Sequence, residues 1–252
     1  MTMHHVHCIS HVLLDIEGTT CPVSFVATVL FPYASDHLLS YLSDNQLNPV
    51  VQGLIEELEA LWADDQDPTA LRLLEERERS SCSQIESLTG YLQHLIQCDR
   101  KATPLKELQG MIWASGYAQA ELVGPLFEDV PAALTQWREM GLSLCVYSSG
   151  SVAAQQLIYQ YSNAGDLSGL FDGWFDTRIG PKQSPESYRK IQESLGCEAS
   201  RILFISDSVD ELDAARAAGL QVAMSQRDGE AASIGADAAV IRSFADLCLH
   251  QD

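Results

Sequence analysis

A chain of 252 residues, 46 % of them hydrophobic, is long enough for one sizeable core plus a smaller second domain and too apolar to stay disordered. Fifteen Lys and Arg against 35 Asp and Glu leave a formal charge of −20, which argues against nucleic acid and anionic membrane surfaces as partners. No secretory signal opens the chain, no apolar run is long enough to span a bilayer, and its seven cysteines are scattered without a C-x-x-C pair, so reduced thiols in a cytoplasmic protein are expected.

Four histidines, His4, His5, His7 and His11, lie near the start. No acidic residue accompanies them, so they read as a solvated leader rather than a metal site. The next segment is the most informative of the chain. An apolar run, Val12-Leu13-Leu14, stops at Asp15-Ile16-Glu17-Gly18-Thr19-Thr20. It reads as a short buried strand, and period-two alternation sends Asp15 and Glu17 the same way at its C-terminal end. Ligands bind outside the carboxyl ends of strands in open parallel sheets. Two carboxylates held close repel, and a divalent cation would turn the pair into a phosphate site.

From Phe25 to about Tyr117 the periodicity is helical, with almost no strand signal. Val51, Leu54, Ile55, Leu58, Leu61 and Trp62 share one helical face. Pro68 and Thr69 open a second helix, and Ile85, Leu88, Leu92 and Leu95 mark a third stripe. Leu105, Leu108, Met111 and Ile112 mark a fourth. Trp113 and Tyr117 in this stripe read as core first and as substrate contacts second.

Beyond that block helices and strands alternate. Helices are expected at Pro131 to Met140, Val152 to Tyr161, Pro185 to Leu195 and Glu211 to Ala218, the last two stopped by Gly196 and Gly219. Strands are expected at Leu142 to Tyr147, Phe175 to Thr177, Arg201 to Ser206, Gln221 to Met224 and Ala238 to Ile241. Alternation of this kind predicts an α/β fold, a Rossmann-like parallel sheet core. The first strand belongs to that sheet, so residues 25–117 form an inserted helical cap and residues 1–24 and 118–252 form the core.

Three later strand ends carry polar residues. Ser148-Ser149-Gly150-Ser151 follows one of them, at a helix N-terminus suited to phosphate; Ser151 reads as a helix cap, which leaves Ser148 unexplained by capping. Lys182 follows the Gly180-Pro181 turn. Alone it would read as a solvated charge, but an acidic site that handles phosphate needs a fixed cation. Read as a surface-reaching side chain, it should be removable without loss of stability. Asp207 follows the strand ending at Ser206, with Asp210, Glu211 and Asp213 beyond it; one of these later acids suits a supporting place behind the metal, and the rest suit solvent or the helix N-terminus.

The order of acidic pair, hydroxyl, lysine and acid, each at or just after a strand end, resembles the haloacid dehalogenase-like phosphohydrolases. Glu17 stands where most phosphatases of that family have Asp, and this narrows the match. Asp15-Ile16-Glu17-Gly18-Thr19-Thr20, Leu30-Phe31-Pro32-Tyr33-Ala34, Leu108 to Tyr117, Tyr147 to Val152, Ser187 to Ile191 and the segment from Ser206 through Ala215 closely resemble the enolase-phosphatases of methionine salvage. The resemblance runs from about residue 10 to 225.

It implies a bifunctional enzyme that enolises a small phosphorylated diketone and then removes its phosphate. It further implies Mg²⁺ held by the carboxylates of Asp15 and Asp207 and the backbone carbonyl of Glu17. Asp15 would be the nucleophile and Glu17 the proton-transfer group. Ser148, the Ser149 backbone and Lys182 would hold the phosphoryl oxygens. A monomer is expected. The alternative is another phosphatase of the superfamily with a different small phosphorylated metabolite. A non-catalytic module would be expected to lack Asp15, Lys182 or Asp207, and all three are present.

Overall fold

The computed structural model describes residues 3–227 and 239–251. Its strands, in chain order, are β1 (His4–Val6), β2 (His11–Leu14), β3 (Ser143–Tyr147), β4 (Gly173–Phe175), β5 (Ile202–Ser206), β6 (Gln221–Ser225), β7 (Ala239–Ile241) and β8 (Leu247–Leu249). Six of them form one sheet in the order β4-β3-β2-β5-β6-β7, with every pair parallel. All five residues of β5 are buried, the continuous apolar pattern of a parallel strand covered on both faces.

β2 lies at the centre of this sheet. The chain runs outward from it through β3 to β4, then returns to its other side and runs outward through β5, β6 and β7. Leu14 stands opposite both Val146 and Ile205. The residues just after β2, β3 and β5 therefore emerge together, at the point where strand order reverses. Beneath that edge Leu13, Tyr147, Tyr188, Ile191 and Phe204 pack as one apolar cluster with α8 (Pro185–Leu195) and α9 (Val209–Ala217). α6 (Val130–Glu139) and α7 (Val152–Gln160) complete this unit.

The chain divides into two units, residues 1–25 with 123–252 and residues 26–122. The second is all helical: a short π-helical turn at Val26–Leu30, then α1 (Phe31–Asn45), α2 (Pro49–Ala63), α3 (Pro68–Arg79), α4 (Gln84–Gln97) and α5 (Thr103–Ala118). Local signals start these helices. Asn48 caps α2 before Pro49, Asp67 caps α3 before Pro68, and Ser83 with Glu86 forms a reciprocal capping box on α4. The unit extends past the expected Tyr117 because α5 closes through a turn. Ala120 is left-handed at φ 60°, and the N–H groups of Glu121 and Leu122 both donate to the Gly116 carbonyl, at 2.9 and 3.3 Å. Phe25 stays with the first unit, its N–H on the Pro22 carbonyl.

The structure departs from the sequence reading at three places. The N-terminal histidines are not a solvated leader: His4 and His5 belong to β1, which pairs in parallel with β8, a segment of little sequence signal. The strand expected at Phe175 to Thr177 lies at Gly173–Phe175. It stops early because the Asp176 side chain accepts the Arg178 N–H at 2.9 Å and closes a turn. α1 was not singled out as a helix within the block, since its buried positions Ala34, Leu38 and Leu42 make a thin stripe. Ala238, expected in the last strand of the large sheet, lies outside the described residues.

In the helical unit a buried carboxylate ties three segments together. Asp65, 3 % exposed, accepts from Tyr91 Oη at 2.8 Å, Arg100 Nη1 at 2.7 Å and the Asp67 N–H at 2.9 Å. Trp62 stacks on Tyr91 at 4.9 Å and donates its indole N–H to the Ala70 carbonyl. Asp65→Ala strands the Tyr91 hydroxyl and the Asp67 amide in a dry site. We expect it to lower the unfolding free energy of this unit by about 2–4 kcal/mol. Urea melts followed by tryptophan fluorescence check this, and a loss below about 0.5 kcal/mol, the scale of a surface change, would show that the network holds nothing together.

Candidate active site

Asp15 is the first residue past β2, and its N–H completes the ladder by donating to the Ile205 carbonyl at 3.0 Å. The chain then folds back sharply. The Ile16 carbonyl accepts from the backbone N–H groups of Thr19, Thr20 and Cys21, and Gly18 is left-handed at φ 67°. Gly18 is required twice over: a Cβ there would lie 2.1 Å from Asp207 Oδ2. Ser225 donates to the Gly18 carbonyl, and Arg227, ion-paired with Asp129, donates to the Thr19 carbonyl. Thr19 and Thr20 are fully buried, with the Thr20 hydroxyl against Tyr159 Oη at 2.9 Å. The Thr20 hydroxyl also donates to the Ile16 carbonyl at 3.3 Å and so ties the loop from beneath.

The loop aims Asp15 into a buried charge cluster. Asp15 Oδ1 accepts from the Ile16 N–H at 2.8 Å and from Lys182 Nζ at 2.6 Å, and Oδ2 accepts from Ser206 Oγ at 3.2 Å. Lys182 Nζ also meets Glu211 at 2.7 Å, and Ser206 Oγ also donates to Glu211 at 2.9 Å. Lys182 is 6 % exposed, so it is no surface-reaching side chain, and the premise for removing it without cost does not hold. Burial opposes its charge, but Asp15 and Glu211 outweigh burial and hold its pKa above the usual lysine value.

The backbone around Lys182 is fixed by three side chains. Tyr147 Oη donates to the Gly180 carbonyl, Ser187 Oγ to the Pro181 carbonyl and Tyr188 Oη to the Lys182 carbonyl, at 2.9, 2.7 and 2.8 Å. The rigid turn read from Gly180-Pro181 is thus real, and Gly180 at φ 152° leaves room for Ser187 that a Cβ would take.

Asp15, Glu17, Ser148, Ser149, Lys182 and Asp207 line one pocket within the first unit. Every site residue proposed from sequence is therefore brought together. Glu17 arrives by a different route from the one expected. β2 ends at Leu14, so strand alternation does not reach Glu17; the turn around Gly18 carries it into the pocket instead. The Ser148 hydroxyl accepts from the Gly150 N–H at 3.4 Å, and Ser151 caps α7 through the Ala154 N–H. Sequence reasoning left Glu211 undecided and did not name Thr177 and Gln183, which also line the pocket. For Glu211 the signal was available: it stands in the first turn of α9, which starts directly after the strand end that carries Asp207.

Four carboxylates, Asp15, Glu17, Asp207 and Glu211, face one lysine in this lining. Burial and the charge of Asp15 push the Asp207 carboxyl up to about 6, and burial and Asp15 raise Glu211 as well. That surplus of negative charge, with hard oxygen donors on neighbouring strand ends, suits a divalent cation.

Residues 9–219 match the family model described as haloacid dehalogenase-like hydrolase. Among similar curated proteins, the "Enolase-phosphatase E1" of Parasynechococcus marenigrum (strain WH8102) is 45 % identical over 95 % of this chain and 98 % of its own. That of Pseudomonas fluorescens (strain Pf0-1), with the same name, is 46 % identical over 86 % of this chain and 89 % of its own. Among solved structures, the UTR4 protein of Saccharomyces cerevisiae aligns with a TM-score of 0.69 at 31 % identity, covering 93 % of this chain and 98 % of that one. The L-2-haloacid dehalogenase RSc1362 shares the fold at a TM-score of 0.53 and 22 % identity, over 94 % of this chain and 96 % of that one. With its strand-end carboxylates, buried lysine and inserted helical unit, the chain belongs to the haloacid dehalogenase-like hydrolases.

Proposed function

We propose that the chain is a Mg²⁺-dependent enolase-phosphatase. It converts 2,3-diketo-5-methylthiopentyl-1-phosphate to the acireductone 1,2-dihydroxy-3-keto-5-methylthiopentene and inorganic phosphate, a step of methionine salvage. The observation that carries the phosphatase half is the Asp15 carboxylate, gripped by the Ile16 N–H and Lys182 in a pocket that also holds Ser148, Ser149 and Asp207. The enolase half rests on the relatives bearing that name at about 45 % identity over nearly the whole chain. Residues 26–122 are taken as the cap. A monomeric, cytoplasmic enzyme without nucleic-acid partners goes with this reading, supported by the charge of −20 and the seven free cysteines.

The donor set fits Mg²⁺: the carboxylates of Asp15 and Asp207 and the backbone carbonyl of Glu17 would hold it. When bound, the ion supplies Lewis-acid stabilisation of an enolate and of phosphoryl oxygens. The protein's own groups do the rest. Glu17 moves the proton of enolisation. Asp15 attacks phosphorus, the bond to the substrate oxygen breaks, and an aspartyl-phosphate forms that water then hydrolyses. Lys182, the Ser148 hydroxyl and the Ser149 N–H hold the phosphoryl oxygens as charge shifts among them. Asp15 and Glu211 hold Lys182 cationic in the protein before substrate binds.

The direct test incubates the purified protein with the diketone phosphate and Mg²⁺ and follows enol absorbance together with phosphate release. Phosphate release from generic esters without enol formation would replace this reading with another phosphatase of the superfamily. Asp15→Asn is expected to abolish phosphate release while leaving the fold intact, because Lys182 keeps Glu211 as a partner. Activity within about tenfold of wild type, roughly 1.4 kcal/mol of barrier, would remove Asp15 as the nucleophile.

Lys182→Ala is expected to slow phosphate release by about two orders of magnitude or more, about 2.7 kcal/mol. It should also destabilise the metal-free protein, by about 3–5 kcal/mol, because Asp15 and Glu211 are left buried without their cation. Steady-state assays and thermal melts of the same preparation separate the two effects. An unchanged melt would mean that the carboxylates do not depend on Lys182 for compensation.

Asp207 gives a prediction of opposite sign. A carboxyl raised in the fold holds a proton that the unfolded chain has already released. Without metal, its contribution to stability therefore falls as pH rises from about 4 to about 6 and stays lost above. Asp207→Asn is expected to melt higher than wild type in EDTA near neutral pH, and to lose both activity and the rise in melting temperature that Mg²⁺ confers on wild type. Equal melts in EDTA with an equal response to Mg²⁺ would take Asp207 out of the metal site.

A further inference from the structure

The two ends of the chain meet in a second, chemically different cluster. β1 and β8 pair in parallel with His5 directly opposite Cys248. The ladder continues beyond the strands, with the His250 N–H on the Val6 carbonyl at 2.8 Å and the Ile9 N–H on the His250 carbonyl at 2.9 Å. Side chains alternate across a strand, so His5 and His7 share a face, and Cys248 and His250 share that same face from the neighbouring strand. Leu247 and Leu249 take the other face and are buried. The pairing that closes the chain therefore collects imidazoles and a thiol on its open side.

Their donor atoms converge. His5 Nδ1 lies 3.1 Å from His250 Nε2, and Cys248 Sγ lies 3.4 Å from the same nitrogen. One donor atom from each residue lies within 4.8 Å of the other two, and this is the one such group of three among the described residues. In a tetrahedral zinc site, metal–nitrogen bonds near 2.0–2.1 Å and metal–sulfur bonds near 2.3 Å put neighbouring donors about 3.3–3.6 Å apart. The cluster stands close to that spacing. His7 stacks on His250 with ring centroids 4.5 Å apart and planes 10° from parallel, which fixes the orientation of the His250 ring.

We propose that His5, Cys248 and His250 form a three-ligand site for Zn²⁺ or a similar borderline transition metal, joining the N-terminal and C-terminal strands. Two imidazoles and one thiolate select such a metal over Mg²⁺, which demands oxygen donors, so this site and the strand-end carboxylates take different ions. Water supplies the fourth tetrahedral ligand. The ligands come from positions 245 residues apart, so they exist as a set only in the folded chain, and binding stabilises the fold.

The test uses the full-length protein, stripped with chelator and then kept in excess Mg²⁺ to occupy the carboxylate site. Stoichiometric Co²⁺ is expected to produce a thiolate-to-cobalt charge-transfer band with the visible bands of four-coordinate cobalt, and Zn²⁺ to displace it. Cys248→Ser and His250→Ala should remove the band or weaken binding by roughly 10–100-fold or more. Cys98→Ser should change nothing; it is the control because Cys98 Sγ lies 3.7 Å from His94 Nδ1. In wild type alone, Zn²⁺ should slow alkylation of Cys248 while leaving exposed Cys8 and Cys82 reactive. Phosphate release should be the same in Cys248→Ser and wild type. No thiolate band with Co²⁺, a band that survives Cys248→Ser or vanishes in Cys98→Ser, or alkylation of Cys248 unaffected by Zn²⁺ would reduce the cluster to hydrogen-bonded side chains.

Discussion

The contact between Lys182 and Asp15 sets the terms for the rest of the catalytic unit. Two opposite charges at 2.6 Å, each nearly out of solvent, are stable only where both find further partners. The lysine finds Glu211, and Asp15 finds the Ile16 amide and the Ser206 hydroxyl. Glu211 and Ser206 then bond each other, so each member of the cluster is held from two directions. A network closed in this way fixes the Asp15 rotamer before any substrate arrives, which is what the nucleophilic role proposed for it requires.

The cluster is electrically incomplete by design of its surroundings. One ammonium faces four carboxylates in the pocket lining, and burial first and the charge of Asp15 second raise the Asp207 and Glu211 carboxyls. The same imbalance lets a protein of formal charge −20 handle a phosphate ester. On the proposed reading its acids would collect cations, and those cations would meet the anion. The aromatic side chains behind Lys182 matter here as props. Tyr147 and Tyr188 spend their hydroxyls on the Gly180 and Lys182 carbonyls and pack edge to face, 5.5 Å apart, within the apolar cluster. The lysine is therefore anchored to the hydrophobic core itself.

The sheet explains how residues so distant in sequence converge. Asp15 and Lys182 are 167 positions apart, and Asp15 and Ser206 are 191 apart. Parallel pairing of β2 with both β3 and β5 aligns their carboxyl ends, so loops following different strands share one rim. The long helical insertion, residues 26–122, starts after β2 has ended and closes before α6 begins, so it interrupts none of these strand pairings. The β1–β8 pair uses the same logic at the chain ends, where a three-residue ladder brings His5 across from Cys248.

Much of the fold was legible in the sequence because its signals are local. Continuous apolar runs marked β3, β5 and β6, Gly196 ended α8 at Leu195, and Asn48, Asp67 and Ser83 start helices by reaching only two or three residues along the chain. Asp15, Ser148 and Asp207 were legible for a related reason, since each stands just after a strand end; Glu17, Ser149 and Lys182 completed the set through the order of residues and the resemblance to the haloacid dehalogenase-like phosphohydrolases. The sequence could not decide what those residues touch. That Lys182 is buried rather than surface-reaching depends on Glu211 and Asp15 arriving from two other strand ends. That Glu17 enters the pocket depends on a left-handed Gly18 pressed against Asp207. The first residues looked like a solvated leader because their partners, Cys248 and His250, lie at the opposite end of the chain. Local propensity acts over a few residues and can be read from them; charge compensation and ligand sets act through space, and only the folded chain decides which residues share it.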